Sequence, residues 1–189
     1  MCETLNYKEF EYGIESNKIT ITLLDGLMGL NLVGMISSSL FKETVAIVIA
    51  DKSEDEDLSF ACLGCGKDGV APRVMMTDEL LTEFKKNVPV AQVVLMHELG
   101  HYYNSDIGNN DDNSDDRRRN LVAQNKVCPK EIKADAFAIK YLGKDTVIAG
   151  LETLKQRMLD VYKDYDEESV ELSVKEIDIR ISSIKQSII

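Results

Sequence analysis

The hydrophobic rhythm of this chain changes partway along. In the first part, short apolar and β-branched runs are separated by polar turns, which is the pattern of strands. Residues 18–22 predict a short strand, 45–50 a second, and 58–63 and 70–76 two more, with an acidic turn over 52–57. The rest of residues 1–22 reads as a mixed start. Residues 26–41 are the most apolar stretch, rich in Gly and Ser. That stretch is shorter than the roughly 20 residues a membrane span needs, so it reads as core packing. From Thr77 onward the spacing becomes helical. Thr77 is placed to cap a helix whose first turn carries Asp78 and Glu79, in accord with the helix dipole.

Pro89 opens the next helix, as proline does at a first helical position. Val90, Val93, Val94, Leu95, Met96 and Leu99 make that helix apolar nearly all round, so it should be buried. Residues 104–126 are polar, with clustered Asp and Asn followed by Arg117-Arg118-Arg119, and read as a long loop or lid. Pro129 starts another helix, which Gly143 is placed to end. Leu151, Leu154, Met158 and Val161 predict an amphipathic helix over about 146–163. Ser173-Val174-Lys175-Glu176 has the form of a capping box, with Leu172 and Ile177 as its staple. Ile177, Ile181, Ile184 and Ile188 then line one face of a last helix. The expected architecture is α+β: one domain over residues 1–189, with a small, mostly antiparallel sheet packed on a helical bundle. The helix that opens at Pro89 should be central.

Charge and cysteine content narrow the function classes. A net charge of −11 argues against nucleic acid and anionic membrane as partners, because both are polyanions. Met1-Cys2-Glu3-Thr4 has no basic region and no signal-peptide pattern. Four cysteines in 189 residues do not make a disulfide scaffold, and they read as reduced thiols of a cytoplasmic protein. Cys62-Leu63-Gly64-Cys65 is a lone Cys-x-x-Cys among glycines. A structural zinc site needs two such pairs, so these read as packed or half-exposed thiols.

The chemistry concentrates in His97-Glu98-Leu99-Gly100-His101, which holds both histidines of the chain. On a helix, positions i and i+4 lie on one face, so His97 and His101 can offer two imidazole nitrogens to one metal ion. Glu98 sits about 100° round the helix, where its carboxylate can polarise a bound water. His-Glu-x-x-His on a helix is the arrangement of zinc metallopeptidases. With no third histidine in the chain, the remaining ligand must be a carboxylate or a cysteine. The best placed is Glu131, in the first turn after Pro129. Asp135 lies one turn on, able to accept the free ring N–H of a ligand histidine. Ala134 and Ala138 beside them would let this helix approach the histidine helix closely. Asp106 is the fallback ligand.

The pattern His97-Glu98-Leu99-Gly100-His101 followed by Glu131-x-x-Ala134-Asp135-x-x-Ala138 resembles the glutamate zincins related to the CAAX prenyl protease, the bacterial HtpX-type heat-shock proteases and the minigluzincins. Ser59-Phe60-Ala61-Cys62-Leu63-Gly64 is similar to that family's Asn-Ala-Phe-Ala-x-Gly strand. Pro72 to Leu81 is similar to its following strand and helix start, and Arg180-Ile181 to its final Arg-Ile helix. The likeness runs over residues 45–185. It implies a zincin-like fold and a zinc endopeptidase acting on peptides or proteins. His97, His101 and Glu131 would hold one Zn2+, with Glu98 as general base. Two features depart from the family pattern: Ser59 stands in place of asparagine, and no His-Pro precedes the last helix. The substrate- and oxyanion-holding roles of those positions therefore do not carry over. Tyr102, Tyr103, Tyr141 and Arg180 are the candidate oxyanion donors. The strand near Phe60 to Gly64 is a place for substrate to add as an extra strand. ImmA/IrrE-type peptidases share a similar zinc pattern. The alternative to an active protease is a non-catalytic or latent zinc-binding regulator on the same fold.

Overall fold

The computed structural model describes residues 7–28, 31–49, 62–64, 72–105, 115–161 and 167–187. The chain forms two compact units, Met1–Lys86 and Asn87–Ile189.

Among the described residues, the first unit is a six-stranded mixed sheet followed by one helix. Its strands are β1 (Tyr7–Tyr12), β2 (Ile19–Met28), β3 (Leu32–Ser38), β4 (Val45–Ile49), β5 (Cys62–Gly64) and β6 (Arg73–Met76), in the spatial order β1-β2-β3-β4-β6-β5. Every neighbouring pair is antiparallel except β4–β6, which runs parallel with Ala46 opposite Arg73 and Ile49 opposite Met76. The period-2 alternation of β2 gives the core row Ile19, Ile21 and Leu23, all almost fully buried. Val33, Ile36, Val45, Ile47, Val74 and Met76 are buried likewise. The helix α1 (Asp78–Lys85) is capped as expected: the Thr77 hydroxyl accepts from the Leu80 N–H at 3.2 Å. Its buried Phe84 meets Phe10 of β1 edge to face, with centroids 4.9 Å apart.

The structure extends the reading of the first 41 residues. The mixed start contains β1, whose only buried side chain is Phe10. An edge strand with exposed Lys8, Glu9 and Glu11 shows no apolar run to read. The strand expected over 18–22 continues to Met28, and the apolar stretch 26–41 contains the whole of β3. Glycines and serines masked its alternation, and a register shift lies between Leu32 and Gly34. The strands expected over 58–63 and 70–76 are present as β5 and β6; residues 58–61 and 70–71, with Cys65, lie outside the described residues.

The second unit is helical: α2 (Pro89–Tyr103), α3 (Asp115–Ala123), α4 (Pro129–Leu142), α5 (Lys144–Val161) and α6 (Glu167–Gln186). Helix α2 is its centre and packs against both α4 and α5. It is buried from Val90 through Gly100 apart from Gln92 and Glu98, as its apolar circumference requires. Pro89 and Pro129 each stand at the start of their helix. Gly143 ends α4 with φ +83, a backbone conformation that glycine adopts without strain. Leu151 of α5 is buried, and Leu154 and Met158 are half-buried. Ile177, Ile181 and Ile184 form the buried face of α6; Ile188 lies outside the described residues. Lys144 Nζ donates to the Ser187 carbonyl at 2.8 Å just past the C-terminus of α6.

Two helical expectations need correction. Part of the loop expected over 104–126 is α3, although Asp115 to Asn120 offers almost no apolar face. Its partners explain it: Arg118 pairs with Glu176 and Arg119 with Glu168, both on α6, while Val122 is buried. Asp106 lies outside the described residues. The last helix does not begin at Ser173 but at Glu167. The supposed capping box is interior, and Ser173 and Glu176 share a face where both accept from Arg118.

Candidate metal centre

The helical period alone brings His97 and His101 to one face of α2. Their Nε2 atoms stand 3.1 Å apart, with ring planes at 85°. What tertiary structure adds is α4, brought very close. A Cβ built on Gly100 would fall 2.8 Å from Ala134 Cα and 2.9 Å from the Ala134 carbonyl oxygen. The Gly100–Ala134 contact thus sets the helix separation, and Glu131 reaches the histidines across it. Glu131 Oε2 lies 3.0 Å from His97 Nε2, and Oε1 lies 3.4 Å from His101 Nε2. One nitrogen from each histidine and a Glu131 oxygen all lie within 4.8 Å of one another.

That spacing suits a small divalent ion. Ligand atoms about 2.0–2.1 Å from a tetrahedral zinc are separated by roughly 3.3 Å; here the two Nε2 atoms are 3.1 Å apart, and His97 and His101 lie 3.0 and 3.4 Å from Oε2 and Oε1 of the Glu131 carboxylate. Two imidazole nitrogens and a carboxylate are also the donor set that zinc takes in catalytic sites. His97 Nδ1 lies 2.8 Å from Asp135 Oδ1, where a ring N–H donates to that carboxylate, and its Nε2 faces Glu131.

Behind these three side chains is a buried ion pair. Arg180 of α6 donates to Asp135 through Nε at 2.8 Å and Nη2 at 2.6 Å. Its Nη1 lies 3.6 Å from Glu131 Oε2, and its Nη2 lies 3.0 Å from His97 Nδ1. Asp135 is 3% exposed and His97 8%. Burial pushes the Asp135 pKa up, but the His97 hydrogen bond and the Arg180 charge outweigh it, and the carboxyl titrates below its ordinary range. Burial opposes ionisation of Glu131 too, and the hydrogen bonds to His101 and His97 with the charges of His97 and Arg180 again prevail, lowering its pKa. For His97, burial and the Arg180 charge work against protonation. The bonds to Asp135 and Glu131 overcome them, and the ring is pushed up to about 9. The carboxylates thus favour positive charge at this point, whether a proton or a metal supplies it.

Glu98 is half-buried on α2, next to His97 and one side of the ligand face. The structure separates the four candidate oxyanion donors. Arg180 is committed to Asp135 and acts behind the ligands. Tyr103 and Tyr141 join Phe137 in an aromatic cluster, with centroids 5.2 and 4.9 Å from the Phe137 ring. The Tyr141 hydroxyl is buried without a hydrogen-bond partner among the described residues, and burial together with the neighbouring Tyr103 raises its pKa. Tyr102 is half-buried near the end of α2. The Asp135–Arg180 bond is the part that sequence reasoning misses. Its signal is in the chain: a carboxylate on an alanine face and an arginine within an isoleucine face both demand partners.

Comparison of the chain with protein-family models, curated proteins and solved structures found no match. Among the described residues, no helix is long and apolar enough to cross a membrane.

Proposed function

We propose that this protein is a zincin-like zinc metallopeptidase that hydrolyses peptide bonds, with His97, His101 and Glu131 as metal ligands and Glu98 as general base. The observation that supports this reading is that one nitrogen of each histidine and a Glu131 oxygen lie within 4.8 Å of one another beside a helical glutamate. Bound zinc supplies a Lewis acid that brings the pKa of water to about 7 and polarises a carbonyl. Glu98 takes the proton of the attacking water and delivers it to the leaving amine. Asp135 holds His97 in the tautomer that leaves Nε2 unprotonated, and Arg180 holds Asp135. The substrate is a peptide or protein chain.

Metal analysis of the purified protein and turnover of a mixed peptide library test this reading together. One zinc per chain and cleavage are expected. Glu98→Gln should retain the metal and lose hydrolysis by about 10²–10⁴-fold, the usual contribution of a positioned base. A Glu98→Gln protein that cleaves like wild type refutes the mechanism. Zinc without turnover, before and after limited proteolysis, would instead identify a non-catalytic zinc-binding regulator.

A further inference from the structure

The metal centre is one end of a line of charges that crosses three helices. Asp135 on α4 holds Arg180 on α6 by two bonds. One turn earlier on α6 stands Glu176, on the same face as Arg180 and only 8% exposed. Glu176 and Arg180, whose side chain is 11% exposed, are thus a buried carboxylate and a buried guanidinium at i and i+4 of one helix, the spacing at which opposite charges attract. Glu176 in turn accepts from Arg118 of α3, with Nε and Nη2 both 2.6 Å from Oε2, and Arg118 Nη2 reaches Ser173 Oγ at 3.1 Å. The neighbouring pair Arg119–Glu168 joins the same two helices at 2.8 Å, but its side chains are 47% and 70% exposed.

We propose that Arg118 is a positioning residue for the metal centre: by holding Glu176 from α3 it fixes Arg180, and through Arg180 and Asp135 the ring of His97. The inference rests on the metal-site reading above. Its physical basis is competition for Arg180. With Arg118 in place, Glu176 has its own counter-ion. Without it, a buried carboxylate lacks a partner, and the nearest cation on its face is Arg180. Arg180 is then drawn toward Glu176 and away from Asp135. The Asp135 carboxylate loses its bidentate hold, and the His97 ring loses its fixed orientation. Helix α3 is therefore part of the site's support, although it offers no ligand among the described residues.

The test measures zinc affinity by competition, and the visible absorption of the cobalt(II)-loaded protein as a report on ligand geometry. Loss of the direct ring partner of a ligand histidine typically costs about 10–100-fold in affinity. Arg118 acts two ion pairs further out, so Arg118→Met should cost about 3–10-fold and change the cobalt spectrum. Arg118→Lys, which keeps the charge on Glu176, should recover part of the loss. Arg119→Met, which breaks the exposed pair between the same helices, should leave both readouts unchanged. If Arg118→Met binds zinc and cobalt as wild type does, this inference fails while the metal-site reading stands. If Arg119→Met shows the same loss, the effect belongs to the docking of α3 in general and the inference fails. If wild type binds neither ion, the metal-site reading fails and takes this inference with it. Should Arg118→Met not fold, Arg118→Gln decides, since it can still donate a hydrogen bond toward Glu176 but removes the counter-charge and leaves the carboxylate in place. Unchanged affinity and an unchanged cobalt spectrum there overturn the proposal.

Discussion

Replacing Asp135 should separate what the buried ion pair does for folding from what it does for the proposed metal site. Asp135 is 3% exposed and accepts three hydrogen bonds, from Arg180 at 2.8 and 2.6 Å and from His97 at 2.8 Å. Removing one partner of a buried pair costs about 3–5 kcal/mol, because the other charge is left uncompensated. Arg180 keeps Glu131 at 3.6 Å and the field of Glu176, so Asp135→Ala should fall near the lower end, about 3 kcal/mol. Asp135→Asn keeps an oxygen for one donor and should cost less, about 1–3 kcal/mol. Urea unfolding of the metal-free variants reads these values. Zinc affinity should fall by about 10–100-fold in Asp135→Ala, equal to about 1.4–2.7 kcal/mol, measured by calorimetric titration. An Asp135→Ala protein with wild-type stability and zinc affinity within twofold would refute the role given to this contact. Lost stability with intact affinity would refute only the orientation of His97.

Two further outcomes follow from the same geometry. Gly100→Ala should lower the midpoint of thermal unfolding and weaken zinc binding together. Its methyl would meet backbone atoms of Ala134 at 2.8 and 2.9 Å, overpacking of a kind that costs about 1–3 kcal/mol and pushes Glu131 away from the histidines. A variant with wild-type values in both measurements would show that α2 and α4 separate without consequence. In the metal-free protein, acid should unfold wild type more steeply than Asp135→Asn. Asp135 has a lowered folded pKa, so its stabilisation is fully present above its unfolded value of about 4 and is lost as pH falls through the lower folded value. Parallel acid-unfolding curves for the two proteins would contradict the shift.

Much of the site is legible in the sequence because it is local. Two histidines four residues apart share a face by the helical period; Pro89, Pro129 and Gly143 mark helix ends through their backbone chemistry, and Thr77 through its hydroxyl cap. Glu131 and Asp135 stand out because carboxylates on a face of alanines require partners. Which partner each takes is not a local property. That Asp135 is shared between His97 and Arg180 depends on how closely Gly100 and Ala134 let two helices approach, a distance set by packing. The same holds for α3 and for the start of α6. Residues 115–123 and 167–173 have weak apolar periodicity, and ion pairs between the two helices, Arg118 with Glu176 and Arg119 with Glu168, contribute what the pattern lacks. Edge strand β1 and the parallel pairing of β4 with β6 are also decided only in three dimensions. Local periodicity reports which face of an element is apolar, whereas charged residues order only against partners far away in the chain.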